Sequence, residues 1–183
     1  TYRYDSTYTD SNRKGAHNYP SPKSSAFPVD VVKKYKHKKM TIYQRTPSDG
    51  PIFEYEENMN LFDWKLTSEM KEILGFACIK ATCDFRGRNW AAWFTMDIPL
   101  QDGPWKFNGL PGLIMRVESE KGDYVFECIR IKNEKRQILL YDYLYDKSTY
   151  DEVSAFLIEC HNDFNAYIRR IDPKGGWSIA KRD

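Results

Sequence analysis

Residues 103–114 read Gly103-Pro104-Trp105-Lys106-Phe107-Asn108-Gly109-Leu110-Pro111-Gly112-Leu113-Ile114, placing three of the ten glycines and two of the nine prolines in one apolar stretch. Proline locks φ and biases the residue before it away from helix, and glycine reaches positive φ at little cost. The backbone path is therefore what this stretch specifies, and a rigid hydrophobic loop is expected. On its amino-terminal side, Trp90 to Met96 forms a strand that ends by Pro99; on its carboxyl-terminal side, Leu113-Ile114-Met115-Arg116-Val117-Glu118 forms the next.

Further out the same grammar continues. Phe76 to Phe85 alternates, with Ala77, Ile79, Ala81, Cys83 and Phe85 on the inward side and Lys80 and Asp84 toward water. Lys121-Gly122-Asp123 marks a turn into a strand over Tyr124 to Lys132, making a hairpin with its predecessor. Met40 to Arg45, Ile52 to Glu56 and Leu61 to Leu66 read as three short strands, with Trp64 a core anchor, and Gln137 to Leu144 as a last one. Residues 67–73 have room for one helical turn before Gly75. Val153, Phe156, Leu157, Cys160, Phe164, Tyr167, Ile168 and Ile171 recur at spacings of three and four, which predicts one long amphipathic helix. Thr149 and Glu152 form a capping box at its start, and Pro173 with Gly175 and Gly176 stops it.

The expected architecture is α+β: a mainly antiparallel, curved β-sheet with one long carboxyl-terminal amphipathic helix. The short connections leave no room for helical crossovers. Residues 1–28 read as an extended or flexible arm, 29–172 as a single domain and 173–183 as a tail.

Gly87-Arg88-Asn89-Trp90-Ala91-Ala92-Trp93-Phe94-Thr95-Met96-Asp97-Ile98-Pro99, followed by Gly103-Pro104-Trp105-Lys106-Phe107 and Gly109-Leu110-Pro111-Gly112-Leu113-Ile114, resembles the signature of the GLPGLI family. Trp64 and the run Ile73 to Thr82 resemble that family's approach to the Gly-Arg element, so the likeness covers roughly residues 61–131. The resemblance implies a secreted envelope protein of Bacteroidota, periplasmic or outer-membrane associated. The partner it implies is an outer-membrane β-barrel or TonB-dependent-receptor-like protein. It transfers no catalytic residues. A first residue Thr1 rather than Met is consistent with a processed or truncated chain, and the resemblance favours a removed export signal.

Composition bounds the chemistry. The net charge of +2 hides an asymmetry, because residues 1–46 carry ten Lys/Arg against three Asp/Glu. The run Lys33-Lys34-Tyr35-Lys36-His37-Lys38-Lys39 reads first as a solvated face and secondly as a grip for anionic lipid head groups; an exported protein has no nucleic-acid partner. Aromatic content of 15% supports a packed core. Cys78, Cys83, Cys128 and Cys160 lack the paired spacing of a zinc site, so no metal is expected. In an oxidising compartment their connectivity stays open, except that Cys78 and Cys83, an odd number apart on one strand, face opposite sides and do not pair. No nucleophile elbow, phosphate loop, metalloprotease helix or dinucleotide fingerprint occurs, and neither an enzymatic activity nor a cofactor is expected.

Two candidate sites remain. Trp90, Trp93, Trp105, Phe107, Leu110 and Leu113 are candidates for an exposed partner-binding patch on a preorganised loop. Arg86 and Arg88 flank Gly87 with the same parity, so on a strand they form a two-guanidinium fork suited to an anion, or else pair with Asp84 or Asp97. With the partner class that the resemblance implies, the function expected is a non-enzymatic accessory or docking subunit for an outer-membrane β-barrel or TonB-dependent-receptor-like protein. The alternative is a periplasmic carrier of an apolar or lipid ligand in a cavity lined by Phe62, Trp64, Trp90 and Leu113.

Overall fold

The structure, a computed structural model, describes residues 29–47, 50–133 and 144–171. The expected arm, the tail after Ile171 and most of the expected strand Gln137 to Leu144 lie outside them. Nine strands occur among these residues: β1 (Val29–Lys34), β2 (Lys39–Arg45), β3 (Ile52–Asn58), β4 (Lys65–Ile73), β5 (Phe76–Phe85), β6 (Arg88–Thr95), β7 (Leu113–Ser119), β8 (Val125–Glu127) and β9 (Asp146–Lys147). Two helices follow, α1 (Tyr150–Asn162) and α2 (Phe164–Ile171). The strands order as β1-β2-β3-β9 in one sheet and β4-β5-β6-β7-β8 in the other. The described residues divide into two compact units, one holding 31–40 and 58–133, the other 29–30, 41–47, 50–57 and 144–171.

This corrects the α+β expectation of a single curved sheet with one long helix. The described residues are mostly β, in two sheets, and the helix is two short ones. The break falls at Asp163, whose backbone leaves helical geometry (φ −138°, ψ 79°) and whose carboxylate accepts the Ala166 N–H at 2.8 Å. An aspartate that caps a new helix interrupts the backbone without disturbing the apolar stripe, so periodicity alone ran through the break. The capping box does form: Thr149 Oγ1 accepts from the Glu152 N–H, and the Glu152 carboxylate accepts from the Thr149 N–H at 2.9 Å. In the same unit Phe156 meets Phe53 edge-on at 5.1 Å, and Tyr167 donates its hydroxyl to Thr46 and to the Pro47 carbonyl.

The five-stranded sheet forms the heart of the other unit and is antiparallel throughout. Residues 67–73, expected as a helical turn, continue β4: the ladder with β5 shifts register between Leu66 and Met70 and then pairs Met70↔Ile79 down to Ile73↔Phe76. The hairpin β4–β5 turns on Leu74 (φ 53°) and Gly75 (φ 81°), and β5–β6 on Arg86 (φ 52°) and Gly87 (φ 72°). Two positive φ values in a two-residue loop match the twist of the flanking strands.

Both faces of this sheet are apolar. One carries Ala81, Cys83, Phe85, Trp90, Ala92, Phe94, Ile114 and Val117, roofed by Phe107 and Leu110 of the Gly/Pro loop with Leu61, Phe62 and Trp64 against it. The other carries a smaller cluster of Cys78, Trp93, Leu113 and Met115, with Ile73, Phe76, Ile98 and Cys128 around it. Cys78 and Cys83 thus sit in different clusters. Four strand spacings separate β4 from β8, about 19 Å in a flat sheet. Ile73 of β4 and Cys128 just past β8 both pack on the same small cluster, which is drawn from the three strands between them.

Candidate functional site

The Gly/Pro loop is held from within. Lys33, at the end of β1, sends its ammonium to Asp102 Oδ1 (2.6 Å) and to the carbonyls of Gly103 (2.7 Å) and Phe107 (2.8 Å). Its side chain is only 6% exposed. Asp102 also accepts the Gly103 N–H at 2.7 Å and bridges Asn108 across the loop. Trp64 donates its indole N–H to the Asn108 carbonyl at 2.9 Å. At the far end Gly112 runs so close to the Thr95 carbonyl that a Cβ there would stand 2.0 Å from its oxygen.

The six residues singled out as a partner patch are placed inward. Trp90, Trp93, Phe107, Leu110 and Leu113 are buried and Trp105 is half-buried, stacked on Phe126. The loop folds back over the sheet, so its rigidity roofs the core and presents no exposed anchors. Nor do Phe62, Trp64, Trp90 and Leu113 line one hollow: the first three pack with Phe107 on one face, while Leu113 lies in the cluster on the other.

Arg86 and Arg88 do not form a fork. Same-face parity needs a continuous strand, but Arg86 occupies the left-handed turn position and lies over the Phe85 ring, whereas Arg88 begins β6. Arg88 pairs with Asp123 at 3.0 Å rather than with Asp84 or Asp97. In the basic run, Lys33 is buried, contrary to a solvated face, because three acceptors converge on it. Lys34, Lys36, Lys38 and Lys39 are exposed around the 3-10 turn Tyr35–His37.

What the sequence reading missed lies on the second face of the sheet. Trp93 is overlain by the Lys71 ammonium at 4.1 Å, with Lys80 at 5.7 Å. Arg116 bridges Glu118 (2.7 Å) and Glu127 (3.0 Å), and Lys80 holds Glu69 at 2.8 Å. Hydrogen bonding from Arg116 draws the Glu118 carboxyl below its usual range. Burial, then the neighbouring Arg116, pulls the Lys71 ammonium below the ordinary lysine value. Lys71 stands closest to the Trp93 ring, and the Glu118 and Glu127 carboxylates act on its charge from farther off.

Beside this cluster runs an open groove of about 480 Å³, lined by residues 71–74 on one side and 127–129 on the other. One wall is the end of β4 with its turn, and the other is the end of β8 with the segment that leaves it, so the groove is a seam between these two stretches. At its rim stand Leu74, half exposed in a left-handed turn, and Ile129, 87% exposed. The sequence signal for it was faint: a leucine where a type I′ turn favours Asn, Asp or Gly, and an isoleucine beyond a short strand.

Among the described residues no group of three or more His, Cys, Asp or Glu side chains gathers as a metal site, and no helix is long and apolar enough to cross a membrane. All four cysteines are free thiols.

Comparison with known proteins places residues 85–116, from the β5–β6 turn through the Gly/Pro loop into β7, in similarity to a family described as "Protein of unknown function (Porph_ging)", which is associated with Bacteroidota. No curated protein matches the sequence. Two solved structures share the fold: "Structure of PNGF-II in C2 space group" (TM-score 0.57, 20% identity, 74% of this chain) and "Structure of PNGF-II in P21 space group" (TM-score 0.52, 18% identity, 75% of this chain). The chain spans about a quarter of those proteins, 26% of each.

Proposed function

We propose that this chain is a non-enzymatic binding module of an exported GLPGLI-type envelope protein, periplasmic or outer-membrane associated, that docks on an outer-membrane β-barrel or an assembly around one. The observation that carries the reading is the seam, with Leu74 and Ile129 exposed at its rim. Apolar side chains held in water beside a groove contribute more to a partner's surface than to this fold. Leu74 makes the case sharper, because a left-handed non-glycine residue costs about 1–2 kcal/mol that the hairpin would save with asparagine or glycine. The exposed lysines around the 3-10 turn are a second contact, suited to anionic lipid head groups beside such a partner.

Photo-crosslinking tests this in native envelope. A benzophenone amino acid at position 129 is expected to capture an outer-membrane β-barrel protein, identified by mass spectrometry, while the same group at Lys121 does not. Capture of no barrel protein at 129, or equal capture at both positions, refutes the docking reading.

A further inference from the structure

The turn between β1 and β2 is built as a rigid peg. Both its feet are fixed in the same unit: Lys33 is held by Asp102 and two loop carbonyls, and Met40 is fully buried. Between the feet the six residues Lys34-Tyr35-Lys36-His37-Lys38-Lys39 are all exposed. The Lys38 N–H donates to the Tyr35 carbonyl at 3.1 Å, and the Lys38 carbonyl accepts the Met59 N–H at 2.9 Å. A turn pinned in this way loses little freedom when it binds.

Its chemistry is one-sided. Four of the six exposed residues are lysines and none is an acid. Asp30, the one acid of β1 and β2, pairs with Arg45 at 3.4 Å. Lys34 and Lys39 make contacts of their own, whereas Lys36 and Lys38 have no ion-pair partner among the described residues. Lys38 also fills a left-handed position (φ 51°) where glycine or asparagine fits with less strain, so the turn gives up stability to carry a charge there. Tyr35, 47% exposed, sets an aromatic ring with a polar tip among these ammonium groups.

That combination suits the head-group layer of a bilayer, where phosphates meet the lysines and a tyrosine ring settles between the polar and apolar zones. A nucleic-acid duplex calls for a longer stripe of charge than one turn supplies. We infer that this peg seats the protein on an anionic membrane surface, with Lys36 and Lys38 on head-group phosphates and Tyr35 in the interface. This rests on the envelope location proposed above and deepens the second contact named there by giving the aromatic anchor and the two charges that carry it.

The test is sedimentation of the 183-residue chain with vesicles of phosphatidylcholine containing about 30 mol% phosphatidylglycerol, at about 0.1 M salt. Half-binding is expected at about 1 mM accessible lipid, and none is expected with phosphatidylcholine alone. The double variant Lys36→Gln, Lys38→Gln should bind about 25-fold more weakly, roughly fivefold for each charge lost. Lys65→Gln, Lys121→Gln removes the same charge from exposed positions elsewhere and should change binding less than about twofold. Tyr35→Ser should weaken binding without altering its salt dependence, since it removes no charge. All variants are compared at an unchanged melting temperature. No sedimentation, equal binding to both kinds of vesicle, equal loss in the two double variants or an unaffected Tyr35→Ser each overturns the inference. So does displacement by inorganic phosphate at matched ionic strength, or tighter binding to a DNA duplex than to the vesicles. If the vesicles fail while position 129 still captures a barrel protein, the membrane inference falls alone; if they bind as expected while no barrel protein is captured, the docking reading falls alone.

Discussion

Replacing Lys33 by methionine keeps the length and apolar stem of the side chain and removes only its charged head. The head makes three contacts within 2.8 Å, one to a carboxylate and two to carbonyls. Asp102 keeps the Gly103 N–H but loses its counter-charge in a nearly buried site, its side chain 10% exposed. Breaking a buried pair from one side costs about 3–5 kcal/mol, because the remaining ion stays desolvated. Against a total stability of about 5–15 kcal/mol that is a large fraction. With a urea dependence of about 2 kcal/mol per M, the midpoint of denaturation should fall by roughly 1.5–2.5 M. The reverse single change, Asp102→Leu, should cost a similar amount by stranding the ammonium. Burial outweighs the attraction of Asp102 and draws the Lys33 ammonium below its ordinary value, so the pair as a whole contributes far less than either single change suggests. The double variant Lys33→Met, Asp102→Leu should therefore recover part of the loss, leaving the cost of the two orphaned carbonyls and of the Gly103 N–H that Asp102 accepted, at least about 1 kcal/mol each. Lys34→Met, on the exposed neighbour, sets the baseline. A Lys33→Met midpoint within 0.3 M (roughly 0.6 kcal/mol) of that baseline, or a double variant no better than the worse single, would refute the view that this ion pair pins the loop.

Gly112→Ala should destabilise by about 3 kcal/mol or prevent folding, since its Cβ would meet the Thr95 backbone at 2.0 Å, and a circular-dichroism melt matching wild type would contradict that placement. Leu74→Asn should raise stability by about 1 kcal/mol in the same assay while weakening docking, and a lower melting temperature would show the turn is not strained as described. Of the four thiols, Cys128 should react first with a disulfide reagent at pH 8, because Cys78, Cys83 and Cys160 are buried and burial pushes the Cys83 thiol up to about 12. Mass mapping that finds Cys83 labelled before Cys128 would overturn this. Glu118 binds its proton less readily folded than unfolded. Its pairing therefore stabilises above the ordinary carboxyl value of 4.5 and the gain disappears as pH falls through the lower folded value. Arg116→Met should flatten that part of the pH–stability curve by no more than about 1 kcal/mol, since the pair is partly solvated.

Most of the five-stranded sheet was legible in the sequence, for reasons that are local. The alternation of Phe76 to Phe85 and the Gly/Pro punctuation around Trp90 to Ile114 act over a few residues, and the ladder follows them. Two elements escaped because pairing overrode local preference. Lys65-Leu66-Thr67-Ser68-Glu69-Met70-Lys71-Glu72-Ile73 has the composition of a helix, yet β5 offers it a ladder and it becomes a nine-residue strand. Asp163 looked like one polar residue in a helical stripe, although its side chain starts a second helix. Cys78 was hidden for a related reason: alternation was read as one apolar face, and on this sheet the second face is apolar too.

The partner patch failed on a different physical point. Aromatic density and backbone stiffness are compatible with exposure or burial, and what decides between them is a lysine about seventy residues away in sequence. Lys33 offers its ammonium to Asp102 and two loop carbonyls, and this turns Phe107 and Leu110 onto the sheet. A charge within a run of seven mostly basic residues gives no local sign that one member is structural. The seam has the same character, because its two walls lie more than fifty positions apart and neither carries a motif. It exists only where the end of β4 and the segment leaving β8 border one opening beside the same apolar cluster. Docking through it should therefore depend on that cluster as well as on the lining residues. Met115, buried in the cluster and absent from the groove's lining, is the direct case: a Met115→Ala variant that remains folded but loses capture of a barrel protein at position 129 would show that the recognition surface is set by the packing beside it, and capture equal to wild type would refute that.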